Sequence, residues 1–461
     1  MARLKSRFSS EAVPFWALVV FLALVFLMGG GARADIQSLV ILRPTAALFC
    51  GIGLWSLTRA HVETYRFLFG MAGAIIALLV AHLIPLPPSV WAMFPGRGLV
   101  SDIDTMAGLG AVWRPITLVP WGARNALYSL LVPLAVLILG VQLDKEQKYR
   151  LLFVVLGIGL ASGLLGLLQS ISDPHGPLYF YSITNNGAAV GFFSNRNHQA
   201  MLLASLFPML AVYASAGLQS EEQVAVRGWG ALAVSAVLVP LILVTGSRAG
   251  LFVGLVGLAS AGLLYQKPNT LVSRKRTGGT GNVKWLAITL VVVCLGGLTV
   301  LSSRAVAFQR LWASDITEER FQRWPSIAAM AWKYFPFGSG AGSFVEVFQI
   351  DEPNRLLGLS YANHAHNDWL ELMMTMGLPG LLLLLVSLWA FARATRAAFR
   401  APLGEGRRAP FARLGAVILL IFALGSIGDY PLRTPSLACL FVVAVLWLYP
   451  SDLGVRRVVP N

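Results

Sequence analysis

The chain has 461 residues, of which 56% are hydrophobic and only 12% charged. Soluble domains carry nearer a quarter charged residues, so this composition excludes a cytosolic globular protein and points to a polytopic membrane protein. A net charge of +15 raises nucleic acid as a partner, an idea that the placement of the charge removes below.

Apolar runs long enough to cross a hydrocarbon core of about 30 Å fall near residues 14–30, 36–57, 66–84, 125–143, 150–170, 199–217, 229–245, 249–265, 285–301, 379–396, 414–430 and 436–449. They predict an all-α polytopic membrane protein with about 12 transmembrane helices and a large, partly helical outer loop. "GGGARAD" at 29–35, after the first apolar run, contains the Ala-Arg-Ala of a signal cleavage site. An uncleaved anchor is the expectation, because so many later spans leave little need for a removable signal. Neither outcome alters the orientation of the spans that follow.

With the N-terminus inside, 22 of the 36 Lys and Arg residues fall in inner segments, as the positive-inside rule requires. They include "SRKR" at 273–276, Arg393, Arg396 and Arg400 with Arg407 and Arg408, and Arg456 with Arg457. Topology and anionic membrane lipids account for the charge, and no nucleic acid partner is expected. Cys50, Cys294 and Cys439 all lie within expected spans and form no disulfide or metal framework.

The substantial outer connections are 85–124, 170–198, the tight turn 246–250, and 302–376. Inner connections are short apart from the Gly-, Thr- and Lys-containing linker at 266–284. His175, His198, His364 and His366 lie in outer loops, His82 lies near the outer end of its span, and only His61 is inside. Chemistry is therefore expected on the outer face. Ionisable residues near the midplane are scarce and no internal repeat is visible, which argues against a transporter with inverted repeats and a midplane site.

In the long outer loop, Asp315 and Thr317 offer a helix start, Pro325 a break and Pro336 a stop. Gly338, Gly340 and Gly342 then read as a tight chain reversal between packed helices in preference to a phosphate loop. "YANHAHNDWLELMMTMGLPG" at 361–380 follows. Asp368 and Glu371 are spaced as a capping box, with Asn367 an alternative cap. Gly377 suits a helix stop and Pro379 the first turn of the next span. The helix between would be roughly 13 Å long at 1.5 Å per residue, short enough to lie in the interface. His366 then stands at a helix N-terminus, where the partial positive charge disfavours imidazolium. A neutral imidazole suits a general base; the alternative is a histidine that only caps the helix or bonds a loop carbonyl. Asp368 and Glu371 are rival bases that a capping role would occupy.

These residues resemble the bacterial O-antigen ligase and O-antigen polymerase superfamily, whose periplasmic loop carries His-Asn/Ser/Gln, nine residues, then Gly-x-x-Gly. Here that pattern is His366, Asn367, nine residues, Gly377, Leu378, Pro379, Gly380. The resemblance extends to "GFFSNRNHQA" (191–200), "VTGSRAGL" (244–251), "FPFGSGAGSF" (335–344) and, less specifically, "DYPLRTP" (429–435). It divides the chain into N-terminal helices and first outer loops at 1–190, a catalytic region at 191–435 including the loop 302–376, and a last helix with its tail at 436–461.

The resemblance implies a metal-independent inverting glycosyltransferase of the inner membrane, with its active site facing the periplasm and no cofactor. It would pass a glycan from undecaprenyl diphosphate to an acceptor hydroxyl on the lipid A core or on a lipid-linked repeat unit, transfer to protein being a third outcome. Carried over by position, His366 is the base, Arg196 and Arg248 hold the diphosphate, and His364, Asn367 and His198 support them. Each arginine has an alternative: Arg248 as an anchor to headgroup phosphates, Arg196 as a bystander to Asn195, Asn197 and His198. His175, Tyr179 and Tyr181 could line a sugar surface, and Arg320, Arg323 and Arg433 are outward cations that nothing in the sequence ranks. The rival class is a transporter or flippase for a lipid-linked sugar or small anion.

Overall fold

The computed structural model describes residues 12–215, 221–266, 315–358, 361–401 and 408–449. The expected span at 285–301, nearly all of the 266–284 linker, Cys294, Arg407 and the basic pairs at 273–276 and 456–457 lie outside the described residues.

The chain runs through α1 (Val13–Met28), α2 (Leu39–Ser56), α3 (Arg59–Thr64), α4 (Arg66–Ala81), β1 (Pro85–Leu86), α5 (Pro88–Trp91), α6 (Gly98–Met106) and β2 (Arg114–Pro115). Next come α7 (Pro120–Ser129), α8 (Leu131–Gly140), α9 (Lys145–Ile171), α10 (Arg196–Ser215), α11 (Glu221–Val244) and α12 (Arg248–Leu264). The last group is α13 (Asp315–Lys333), α14 (Phe344–Asp351), α15 (Asp368–Arg400), α16 (Arg408–Gly428) and α17 (Pro435–Leu448). Among the described residues the only sheet is the two-residue antiparallel ladder β1–β2. Among the described residues, seven helices are long and apolar enough to cross a membrane, taking α7 with α8 as one segment, and α1, α4, α12 and α17 are shorter apolar helices. Together they coincide with every expected span in the described residues. Helices are what such sequences must form in hydrocarbon, because the backbone has no water with which to hydrogen-bond. Pro44, Pro208 and Pro240 are carried inside them.

The connections segregate to two ends. At one end, Lys148 donates to the Tyr65 hydroxyl at 2.6 Å, Gln142 reaches Gly53 O, and Arg413 binds the carbonyls of Ala398 and Ala401. At the other, Ser194 N–H donates to Gly30 O, Ser436 N–H to Gly29 O, and Ala341 N–H to His82 Nδ1. This alternation is the one the charge distribution led us to expect. Within the bundle α10 is almost wholly buried, packed on α9, α11, α12 and α16.

One local expectation changes and another holds. Pro325 does not break α13, which runs on to Lys333. A proline costs an interior helix about 3 kcal/mol, but Ile327, Met330, Ala331 and Tyr334 beyond it are buried with Phe344 and Phe348, and that burial outweighs the loss. α15 is interrupted at Gly377, as its spacing led us to expect: two helical segments meet there at a kink, with φ 56° and ψ −148°. The glycine turn at 338–342 fills the kink. Leu378 N–H donates to Pro336 O at 2.7 Å, Ser339 N–H to Met374 O at 3.0 Å and Gly340 N–H to Thr375 O at 2.8 Å. Arg97, 1% exposed, locks the first outer loop to the same turn, donating to Ile116 O and Gly338 O. The turn is thus the chain reversal expected from its glycines. A Cβ on Gly377 would lie 2.2 Å from Pro336 O, and the positive φ is itself unfavourable for any other residue. Gly377→Ala should therefore destabilise the protein by about 2 kcal/mol or more, read as a lowered thermal midpoint of the detergent-purified protein.

Candidate functional site

The segments singled out in the sequence converge at the end of the bundle where α10, α12, α15 and α17 begin. Three of these starts have a side-chain cap of their own. Asn195 Oδ1 accepts from Asn197 N–H at 2.9 Å ahead of α10, Ser247 Oγ from Gly250 N–H at 2.8 Å at α12, and Asn367 Oδ1 from Leu370 N–H at 3.1 Å at α15. Side-chain oxygens of this kind satisfy the donors that a first helical turn leaves unpaired. Gln169, fully buried in α9, shapes the turn before α10: its Oε1 accepts from Val190 and Gly191 N–H, and its Nε2 donates to Gly191 O.

Asp429 joins these starts. It follows α16 directly and is 1% exposed. Its Oδ2 accepts from Asn197 Nδ2 at 2.5 Å and from Asn195 Nδ2 at 3.3 Å. Its Oδ1 lies 3.3 Å from His366 Nδ1, 3.0 Å from its neighbour's amide at Tyr430, and 4.0 Å from His198 Nε2. Ser247 Oγ donates to Asn197 Oδ1 at 2.7 Å, which ties the start of α12 into the same network. His198 Nδ1 pairs with Thr434 Oγ1 at 2.9 Å, just before α17. The Tyr430 ring stands among three histidines, with centroid distances of 4.3 Å to His364, 4.8 Å to His366 and 5.2 Å to His198.

The electrostatics follow from burial and pairing. Burial would raise the Asp429 carboxyl, but the hydrogen bond from His366 and the nearby positive charge of Arg320 oppose it, and the group is held below the usual carboxylate range. His366 moves down from its ordinary 6.5 because burial disfavours imidazolium; the Asp429 hydrogen bond opposes that shift and Arg320 adds to it. The pair is thus an ionised carboxylate beside a neutral imidazole. With Nδ1–H given to Asp429, Nε2 on the opposite edge of the ring keeps its lone pair, and 16% of the side chain is exposed. His366 also sits at φ 49°, among the described residues the one non-glycine with a positive φ. Such conformations persist where surrounding contacts impose them, often at functional sites.

The expected supporting residues divide. Asn367 is the cap of α15, so Asp368 and Glu371 do not form the expected capping box. Glu371 instead accepts from Ala365 N–H at 2.9 Å and lies 3.1 Å from His364 Nδ1 and 3.2 Å from Arg433 Nη2, while Asp368 Oδ1 lies 3.2 Å from Arg433 Nε. A local cap loses here to a long-range cation that both carboxylates reach. Arg196 opens α10, its backbone N–H held by Asn185 Oδ1 at 3.0 Å, and Arg248 is an exposed first residue of α12. Their immediate neighbours Asn197 and Ser247 are in the Asp429 network, so both arginines start helices at the same place as His366. Of the cations left unranked, Arg433 is spent on Asp368 and Glu371, Arg323 lies 4.0 Å from Glu352, and Arg320 acts on both members of the His366–Asp429 pair. The Tyr179 and Tyr181 hydroxyls are engaged within the loops, Tyr179 donating to Gln169 O and Tyr181 accepting from Gly30 N–H. Asp429 is the residue that reading the sequence missed. Its signal was the acid that opens "DYPLRTP", which carried no hint of its partner.

Fold and site together define a polytopic helical membrane protein with a buried histidine–carboxylate pair at one end of its bundle. Residues 232–385 match the family model of the O-antigen ligase domain, which supports the chain's place in the O-antigen ligase and polymerase superfamily. That family implies a bacterial membrane enzyme of glycosyltransferase type, in surface polysaccharide biosynthesis, with a lipid-linked glycan and an acceptor as partners. No curated protein matches the chain.

With His366 acting as a base, its depression by burial means that the rate should hold across neutral pH and fall only as pH drops through a midpoint below 6.5. The Asp429 hydrogen bond raises that midpoint, so Asp429→Asn should move the acid limb further down. It should also lower turnover by up to the roughly 10² to 10⁴ that base assistance supplies. A pH–rate profile of both proteins measures the two effects.

Proposed function

We propose that this chain is an inner-membrane glycosyltransferase that moves a glycan from undecaprenyl diphosphate to an acceptor hydroxyl at the periplasmic face, with 191–435 as its catalytic region. The observation that carries this reading is the His366–Asp429 pair, which supplies a neutral, oriented base beside the starts of the helices that bear Arg196 and Arg248.

The reaction follows from those parts. The acceptor oxygen attacks the anomeric carbon of the donor sugar, its proton passes to His366 Nε2, and the bond from that carbon to the phosphate oxygen breaks. A single displacement inverts the anomeric centre. Undecaprenyl diphosphate leaves with its negative charge increasing, and fixed cations and N–H dipoles must offset that charge. Arg196 and Arg248 are assigned this task without a metal, with Arg320 beside the pair as a third cation. Arginine's planar fork suits phosphate better than lysine, and each such bond contributes on the order of 1.5 to 3 kcal/mol. Four helix N-termini at the same end add partial positive charge. Asp429 fixes the tautomer of His366 and stabilises the imidazolium formed in the step. The His198 ring borders the same carboxylate, and His364 flanks Tyr430 on the other side.

Single replacements His366→Ala, Arg196→Ala and Arg248→Ala, each in a host lacking the native gene, should abolish or severely reduce surface polysaccharide on gels. Full-length polymer in all three would overturn the assignment. The deletion strain then separates the outcomes of transfer: single repeat units on the lipid indicate a polymerase, and long unattached polymer indicates a ligase. Unchanged glycan with lost solute uptake would make the chain a transporter instead.

A further inference from the structure

We infer that Glu371 and Arg433 form a brace that positions the His366–Asp429 pair, joining the loop that carries the histidine to the turn that carries the carboxylate. The inference rests on His366 being the base.

Two segments must be held together for the pair to form. His366 ends a loop that enters α15, and Asp429 opens a turn that continues through the short helix Pro431–Arg433. Glu371 lies one turn inside α15 and is 2% exposed. Its Oε2 takes the N–H of Ala365, the residue just before His366, at 2.9 Å, and its Oε1 takes His364 Nδ1 at 3.1 Å. The carboxylate therefore grips the loop on the N-terminal side of His366, which among the described residues is the one non-glycine held in the left-handed region. One imidazole and a single amide would leave a buried carboxylate poorly compensated. Arg433 completes the compensation, with Nη2 at 3.2 Å from Glu371 and Nε at 3.2 Å from Asp368. Asp368 is in turn held by Ser426 Oγ at 3.2 Å, from the last turn of α16 that leads into Asp429. Burial alone would lower the Arg433 pKa, but Glu371 and Asp368 hold it above its ordinary range.

The arrangement spans both segments without using any atom of the pair itself. Its members are already satisfied by one another, so they act on the reaction through His366 and Asp429. Misplacing a reacting group by about 1 Å can cost on the order of 10² in rate, and the brace opposes that displacement.

The test uses full-length protein in detergent, with lipid-linked glycan and acceptor glycolipid extracted from the deletion strain. Glu371→Ala should lower the rate at saturating donor by about tenfold or more while leaving the half-saturating donor concentration within about twofold. Glu371→Gln, whose amide oxygen can still accept from Ala365 N–H, should recover part of that loss. Arg433→Ala should resemble Glu371→Ala, again without loss of donor affinity. Wild-type turnover in Glu371→Ala would overturn the brace, and so would a defect confined to donor affinity or a Glu371→Gln protein no better than the alanine. His366→Ala separates the two ideas. If it turns over at the wild-type rate the base assignment fails; if it is inactive while Glu371→Ala is normal, only the brace fails.

Discussion

The arrangement depends on a carboxylate, Asp429, that is removed from water and still carries its charge. Burying an ion costs several kcal/mol even after relaxation, so donors must surround it. The chain supplies them from separate places: the amides of Asn195 and Asn197 before and within α10, the imidazole of His366 before α15, and the peptide N–H of Tyr430. Once the carboxylate is in place, each donor has one position, and the tautomer and orientation of the histidine follow from it.

That constraint also explains why the helices begin where they do. A helix N-terminus presents unpaired N–H groups and partial positive charge, and α10, α12, α15 and α17 bring four of them to one end. The same field that eases ionisation of Asp429 disfavours imidazolium at His366, so pairing and dipoles favour one protonation pattern. The glycine turn wedged against the Gly377 kink serves a mechanical purpose. It fixes the first turns of α15 at an angle to the remaining length, so that these turns meet the outer loops while the rest runs through the bundle.

Much of this was legible in the sequence. Apolar runs located the helices, and Lys and Arg placement predicted which connections share an end. The break at Gly377 and the place of His366 just before a helix start followed from spacing. What was not legible was pairing across long separations. Asp368 and Glu371 match a local capping pattern, and only the arrival of Arg433 from the far side of α16 shows that they serve a different purpose. Asp429 looked like the first letter of a loosely recognisable motif, because a sequence does not show that a residue 63 positions beyond His366 faces its ring. Pro325 misled for the opposite reason: a local breaker is overruled when the residues after it are needed in a core.

The distribution of the site along the chain has a consequence for biogenesis. Its members are contributed by segments from Asn195 to Thr434, and the carboxylate is among the last to emerge during synthesis. A nascent chain that has already inserted α10, α12 and α15 holds His366 with no partner for Nδ1. The pair therefore forms only when the turn after α16 docks, and a chain truncated before Asp429 never assembles it.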